Sequence, residues 1–214
     1  MTDIKKEVTQ FLHTHQIRIV GFGTVPDDAT VLEIQKSPRA IVCGVRLSKS
    51  VLETVTDRPS LLYKHHYKTV NWILDQTAFR LAQFIEEKGA QAIAIPASQT
   101  VDWQNHRGHI SHKALARAAG LGHIGRSGLL VHPTHGAQVR YVSILTDLRF
   151  EPDAPVDTDC GTCTKCIDVC PAHAISEHGV DIHRCYEKLR EFSRIRGIGQ
   201  YICGVCVKVC NGRD

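Results

Sequence analysis

The 214-residue sequence has no run of about 18 apolar residues, which excludes a membrane-spanning helix. Its opening stretch, MTDIKKEVTQFLHTHQ, lacks the apolar centre of a secretion signal, and no twin arginine is present there. Neither export route is expected, and the chain reads as cytoplasmic. Internal repeats and low-complexity segments are absent, which argues against solenoid and disordered classes. Charge of one sign is also scarce. The net +4 divides into 18 Lys/Arg against 13 Asp/Glu over 1–151 and 8 against 9 over 152–214. The positive excess is spread along the first part, so it gives little support to nucleic-acid binding. Cysteine is nearly missing before residue 160. Cys43 stands alone in RAIVCGVRL, a buried-strand pattern, and is given no role there.

The remaining eight cysteines crowd the end of the chain. CGTCTKCIDVCP places Cys160, Cys163, Cys166 and Cys170 as C-x2-C-x2-C-x3-C-P, the bacterial ferredoxin run. Two-residue gaps let one turning loop offer three thiolates to one cubane. The fourth cysteine is carried too far and ligates a neighbouring cluster. A second group exists: Cys185 in HRCYEKL, and Cys203, Cys206 and Cys210 in ICGVCVKVC. The exchange rule assigns one [4Fe–4S] cluster to Cys160, Cys163, Cys166 and Cys210. It assigns the other to Cys170, Cys185, Cys203 and Cys206. Disulfides do not suit a chain with no export signal, and zinc ribbons use paired C-x2-C units instead.

A second pattern is misleading. Gly120-Leu-Gly122-His-Ile-Gly125 matches G-x-G-x-x-G, but the flanks are reversed. SHKALARAAG before it has helical spacing, and GLLVHP after it reads as a strand. A dinucleotide site needs strand then helix, so this is a helix-to-strand turn in which Gly120 supplies a positive φ. Asp147, at about the distance of a ribose-binding acid, is then a decoy.

Strands are expected at 16–23, 39–47, 90–96, 128–133 and 137–147. Helices are expected at 3–15, near 27–36, across 60–88 and at 111–119. The stretch EPDAPVDTD reads as a linker. The fold class is α+β, with an α/β cofactor- or substrate-binding domain at 1–151 and a ferredoxin-like two-cluster domain at 152–214. Within the long helix, Tyr63, His66, Tyr67, Asn71 and Asp75 share a polar face suited to a pocket wall. His106, Arg107, His109, His112 and Lys113 form a second polar stretch.

The stretches AAGLGHIGRSGLLVHPTHGAQVRYVSILTDLRF, CGTCTKCIDVCPAHAI, RCYEKL and YICGVCVKVC resemble the epoxyqueuosine reductase family, itself related to reductive dehalogenases. The resemblance implies a nitroreductase-like, cobalamin-binding domain followed by two [4Fe–4S] clusters. These would pass electrons from reduced ferredoxin or flavodoxin to a corrinoid that reduces a small-molecule substrate. Flavin is the alternative cofactor. The resemblance also implies that the turn containing Gly120, Gly122, Ile124, Gly125 and Arg126 lies close to the corrinoid, with His123 where an aromatic residue is usual. His66-Tyr67 replaces the family's Asp-Tyr, which makes His66 or Tyr67 the expected proton source. The sequence ends four residues after Cys210, so tRNA is not the expected partner. A non-catalytic electron-transfer subunit that docks a partner protein is the alternative reading.

Overall fold

The structure is a computed structural model that describes residues 4–27 and 38–212. The helix expected near 27–36 lies outside the described residues. In chain order the elements begin with α1 (Ile4–Thr14), β1 (Ile19–Thr24), β2 (Arg39–Arg46), α2 (Lys49–Glu53) and α3 (Leu61–Glu86). They continue with β3 (Ala92–Ile95), α4 (His112–Ala118), β4 (His123–Ile124), β5 (Leu130–Val131) and β6 (Val139–Thr146). The cysteine region adds α5 (Lys165–Asp168), β7 (Ile175–Ser176), β8 (Gly179–Val180), α6 (Ile182–Ser193) and α7 (Val205–Val209). No helix among the described residues is long and apolar enough to cross a membrane.

Two compact units are present, and they interleave along the sequence. The first comprises Met1–Val45, Asn71–Gly122 and Arg140–Val156. The second comprises Arg46–Val70, His123–Val139 and Asp157–Asp214. A single division at 151/152 therefore does not describe the fold. Residues 46–70 and 123–139 pack with the cysteine region and add buried apolar side chains to its own Phe192, Ile198 and Ile202. The aliphatic Leu47, Leu52, Val55 and Leu130 are all buried.

The first unit is built on a four-stranded sheet in the order β1-β2-β6-β3. β1 runs antiparallel to β2 with Phe22 opposite Ile41, and β3 runs antiparallel to β6 with Ile93 opposite Leu145. β2 and β6 are buried along most of their length, which is why both read as nearly continuous apolar runs. On α3, Leu74, Ala78, Leu81, Ala82 and Ile85 are buried at helical spacing. α1 buries Val8 and Leu12.

EPDAPVDTD is not a free linker. Asp153 exchanges hydrogen bonds with Phe22: its N–H donates to the Phe22 carbonyl (2.7 Å), and its carboxylate accepts from the Phe22 N–H (2.9 Å). Lys5 pairs with the same carboxylate. Asp147 accepts from the Gln91 N–H at 2.7 Å and thereby ties off the end of β6.

The second unit has short elements joined by tight turns. Ser48 caps α2 and Asp181 caps α6, each side chain accepting from a first-turn N–H. Its core beneath the cysteines is small: Cys170, Ala174 and Ile175, packed against Cys166, Ile167, Ala172, Val180, Cys185 and Cys206.

Candidate functional site

The eight late cysteines are free thiols. Among the described residues, no three His, Cys, Asp or Glu side chains converge tightly enough for a single metal ion. The thiols instead act on one another in two groups. Burial, then the charges of Cys210, Cys160 and Cys163, pushes the Cys166 thiol up. Burial pushes up Cys210 as well, and Cys160 and Cys163 reinforce it. Elsewhere, burial and Cys170 raise Cys185, while burial with Cys185 and Cys170 raises Cys203 to about 11. Cys206 rises further still, through burial and then Cys203, Cys185, Cys170 and Cys166.

Within each group the thiols pushed up in this way are costly to ionise in water-poor surroundings. Binding a positively charged iron core reverses that cost, because each thiolate then faces a cation. A cubane also keeps its ligands apart, so they need not converge on a point. The donor set therefore fits iron–sulfur clusters. By contrast, Cys43 is fully buried, and desolvation lifts its thiol to about 12, so it is inert.

The glycine turn is a helix-to-strand connection, α4 to β4, with φ +72° at Gly120. A Cβ on Gly120 would lie 2.6 Å from the Ala154 carbonyl oxygen. Gly122 also has positive φ, at 144°. In the second unit, β4 and β5 form a hairpin that pairs His123 with Val131 and Ile124 with Leu130. Ile124 is 37% exposed.

Beyond the hairpin strand, a Cβ on Gly125 would stand 3.1 Å from Cys160 Sγ and 2.7 Å from Val131 Cγ2. Only glycine leaves that sulfur its place. The Arg126 guanidinium donates to the carbonyls of Cys163 (2.9 Å) and Gly161 (2.8 Å), pinning the loop that carries the first three cysteines. Buried Arg126 Nε has no partner among the described residues. Gly125 and Arg126 thus both meet the loop that carries the first three cysteines.

His66 is held by one ring nitrogen. Its Nε2 accepts the Ser48 N–H at 3.0 Å, and burial with neighbouring His65 holds the ring below its usual range. The proton of the neutral ring therefore sits on Nδ1. Tyr67 lies 6.3 Å, centroid to centroid, from the ring of buried Tyr63. Tyr63 packs on Gly204, where a Cβ would come within 2.6 Å of its ring. Asn71 accepts from Arg140 at 3.1 Å, and Asp75 accepts the Ala97 N–H at 2.7 Å. On this face His66, Asn71 and Asp75 each take a hydrogen bond from another part of their own unit.

His112 is likewise absorbed in the first unit: its ring bridges Ser143 Oγ (2.9 Å) and the Pro96 carbonyl (2.8 Å). A groove of about 570 Å³ in that unit is lined by Lys5, Lys6, His13 and Arg18 above Val20 and Phe22. None of the residues expected to meet a corrinoid lines it.

His123 and Thr158 were not among the expected site residues. His123 is 8% exposed, with Nδ1 3.0 Å from Thr158 Oγ1 and Nε2 3.7 Å from Cys160 Sγ. A histidine in the turn and a threonine two positions before the first cysteine were the only sequence signals.

No model of a known protein family matches the chain. The chain is 34% identical over 119 residues to the epoxyqueuosine reductase of Bacillus subtilis, covering 50% of this chain and 31% of that protein. It is 29% identical over 222 residues to the tetrachloroethene reductive dehalogenase of Sulfurospirillum multivorans, covering 94% and 41%. Among solved structures, a reductive dehalogenase with B12-dependent dehalogenation superposes with a TM-score of 0.76 at 20% identity, over 97% of this chain and 31% of that one. An epoxyqueuosine reductase bound to an epoxyqueuosine-modified tRNA-Tyr stem loop superposes at 0.68 with 22% identity, over 97% and 64%. The chain spans about a third of the length of the epoxyqueuosine reductase from Bacillus subtilis. In sequence it is similar to epoxyqueuosine reductases and to a reductive dehalogenase, and it shares the fold of both.

Proposed function

We propose that this chain carries electrons in a reductase of the epoxyqueuosine reductase and reductive dehalogenase kind, through two [4Fe–4S] clusters. Cys160, Cys163, Cys166 and Cys210 hold the first cluster. Cys170, Cys185, Cys203 and Cys206 hold the second. The observation that carries this reading is the spacing of the cysteines, C-x2-C-x2-C-x3-C-P followed by Cys185, Cys203, Cys206 and Cys210. The clusters, when bound, supply one-electron transfer. The protein's own part is to fix the ligand loops. Arg126 holds the Cys160–Cys166 loop by two carbonyls, and the Cys210 carbonyl accepts the Ala137 N–H at 3.0 Å. Lys208 binds the carbonyls of Glu53 and Val55, anchoring α7 between the last two ligands.

Reduced ferredoxin or flavodoxin is the proposed donor, and a small molecule is the proposed final acceptor. A corrinoid would carry the electrons from the clusters to that acceptor, a reading supported by the similarity to a reductive dehalogenase and to the fold of one with B12-dependent dehalogenation. The test is anaerobic reconstitution followed by iron and sulfide assay and EPR. About eight irons per chain are expected. Cys170→Ser should remove the signal of the cluster on Cys185, Cys203 and Cys206 and spare the other. One iron or fewer per chain, or loss of the signal built on Cys160 and Cys163, would overturn the assignment. Cobalt measured in the same sample after incubation with cobalamin tests whether a corrinoid binds to this chain.

A further inference from the structure

The contact between His123 and Cys160 does more than fill space. The β4–β5 hairpin holds the imidazole 92% buried, and Gly125 keeps the approach to Cys160 Sγ open. Nε2 stands 3.7 Å from that sulfur, within hydrogen-bonding reach of sulfur, and Nδ1 stands 3.0 Å from Thr158 Oγ1. A cluster-bound thiolate has no proton and only accepts, so the nitrogen facing it must be the donor. The Thr158 hydroxyl can donate to Nδ1, which leaves the proton of the neutral ring on Nε2. Thr158 thereby selects the tautomer, as outer-shell partners of ligand residues commonly do.

We propose that His123, oriented by Thr158, is a positioning residue that sets the reduction potential of the cluster on Cys160, Cys163, Cys166 and Cys210. The inference rests on the two-cluster reading above. Reduction adds an electron to the cluster and increases the negative charge on its sulfurs. An N–H aimed at one of those sulfurs stabilises the reduced form and raises the potential. The ring nitrogens of His123 face Thr158 and Cys160, a ligand of the first cluster, so the second cluster serves as an internal reference.

The experiment is an EPR-monitored redox titration of the reconstituted protein and its variants, with iron and sulfide measured on each sample. His123→Phe keeps a buried ring without a donor. It should make reduction of the first cluster about tenfold less favourable, a drop of about 59 mV for a one-electron couple, with the second cluster unmoved. His123→Gln, which restores an N–H, should recover part of the drop. Thr158→Val leaves the ring in place but frees its tautomer, and should give a smaller drop of the same sign. Full iron with unchanged potentials in His123→Phe would overturn the proposal while leaving the two-cluster reading intact. So would an equal shift of both clusters, which marks a general packing effect. If His123→Phe does not fold, an unchanged potential in Thr158→Val overturns the proposal by itself. A wild-type protein that binds no cluster fails the earlier reading instead, and the iron assay separates the two cases.

Discussion

The two units hold themselves together by different means. The sheet unit buries Leu12, Ile17, Ile41, Leu74, Leu81, Ile85, Leu115, Ile144 and Leu145 completely. Among the described residues, the large aliphatic side chains that the cysteine unit buries to the same degree are Leu47, Leu52 and Ile198, of which Ile198 comes from its own last stretch, 157–212. The cluster beneath its cysteines is three small or medium side chains surrounded by Ile167, Ala172, Val180 and three cysteines. At roughly 25 cal/mol per Å² of apolar area buried, large aliphatic side chains give the first unit the greater driving force. Under the two-cluster reading proposed above, the inorganic cores would add to the cohesion of the second unit, as in small metal-bound modules.

The largest expected effect is therefore that of iron. Without iron and sulfide, amides in 157–212 should exchange hydrogen faster by about two orders of magnitude or more, while those of β1, β2, β3 and β6 keep their protection. Hydrogen exchange followed by mass spectrometry reads both at once. Uniform loss of protection would break the contrast, since it would mean the sheet unit leans on the clusters too.

Next comes the sheet unit's own core. Leu81 is fully buried. Leu81→Ala should lower stability by about 2–5 kcal/mol in denaturant titration and leave iron content unchanged. Iron falling in step with stability would contradict the separate cohesion of the two units.

The smallest effect is a pH dependence confined to the sheet unit. Burial lowers His112 to about 4, with the Pro96 carbonyl opposing and Arg140 reinforcing the shift. The folded value lies below the usual histidine value of about 6.5. Stability from this group is therefore full above pH 6.5. It is lost as pH falls from 6.5 to 4, because the unfolded chain takes the proton first. The slope should be about 1 kcal/mol per pH unit. Urea midpoints measured across that range should show it, and His112→Gln should flatten it. An unchanged slope in the variant would assign it to another group.

Much of the sheet unit was legible because its signals are periodic. The apolar spacing along 60–88 is that of α3, and the runs at 39–47 and 137–147 are β2 and β6. Elements of two to five residues, such as α2, β4 and α7, were not legible as elements, since they are too short to complete a period. The polar face of α3 was legible as a face but not in what it meets. Periodicity places Tyr63, His66, Tyr67, Asn71 and Asp75 on one side of a helix but does not say what faces them. Asn71 and Asp75 meet Arg140 and a backbone N–H, and His66 meets Ser48. Reading the residues 151–159 as a linker failed because the hydrogen bonds that dock Asp153 on β1 join residues 131 apart.

By itself the sequence determined the crowding and spacing of eight cysteines and the helix-to-strand order around the glycine turn. Both are local: ligand loops and turns are specified by residues a few positions apart. Only the tertiary structure decided what that turn is for. His123 meets Cys160 across 37 positions, and Arg126 meets the carbonyls of Gly161 and Cys163 across 35 and 37. Contacts of that range have no period and no motif. They exist because the β4–β5 hairpin, once folded, presents a ring and a guanidinium at a distance that the chain between them does not encode.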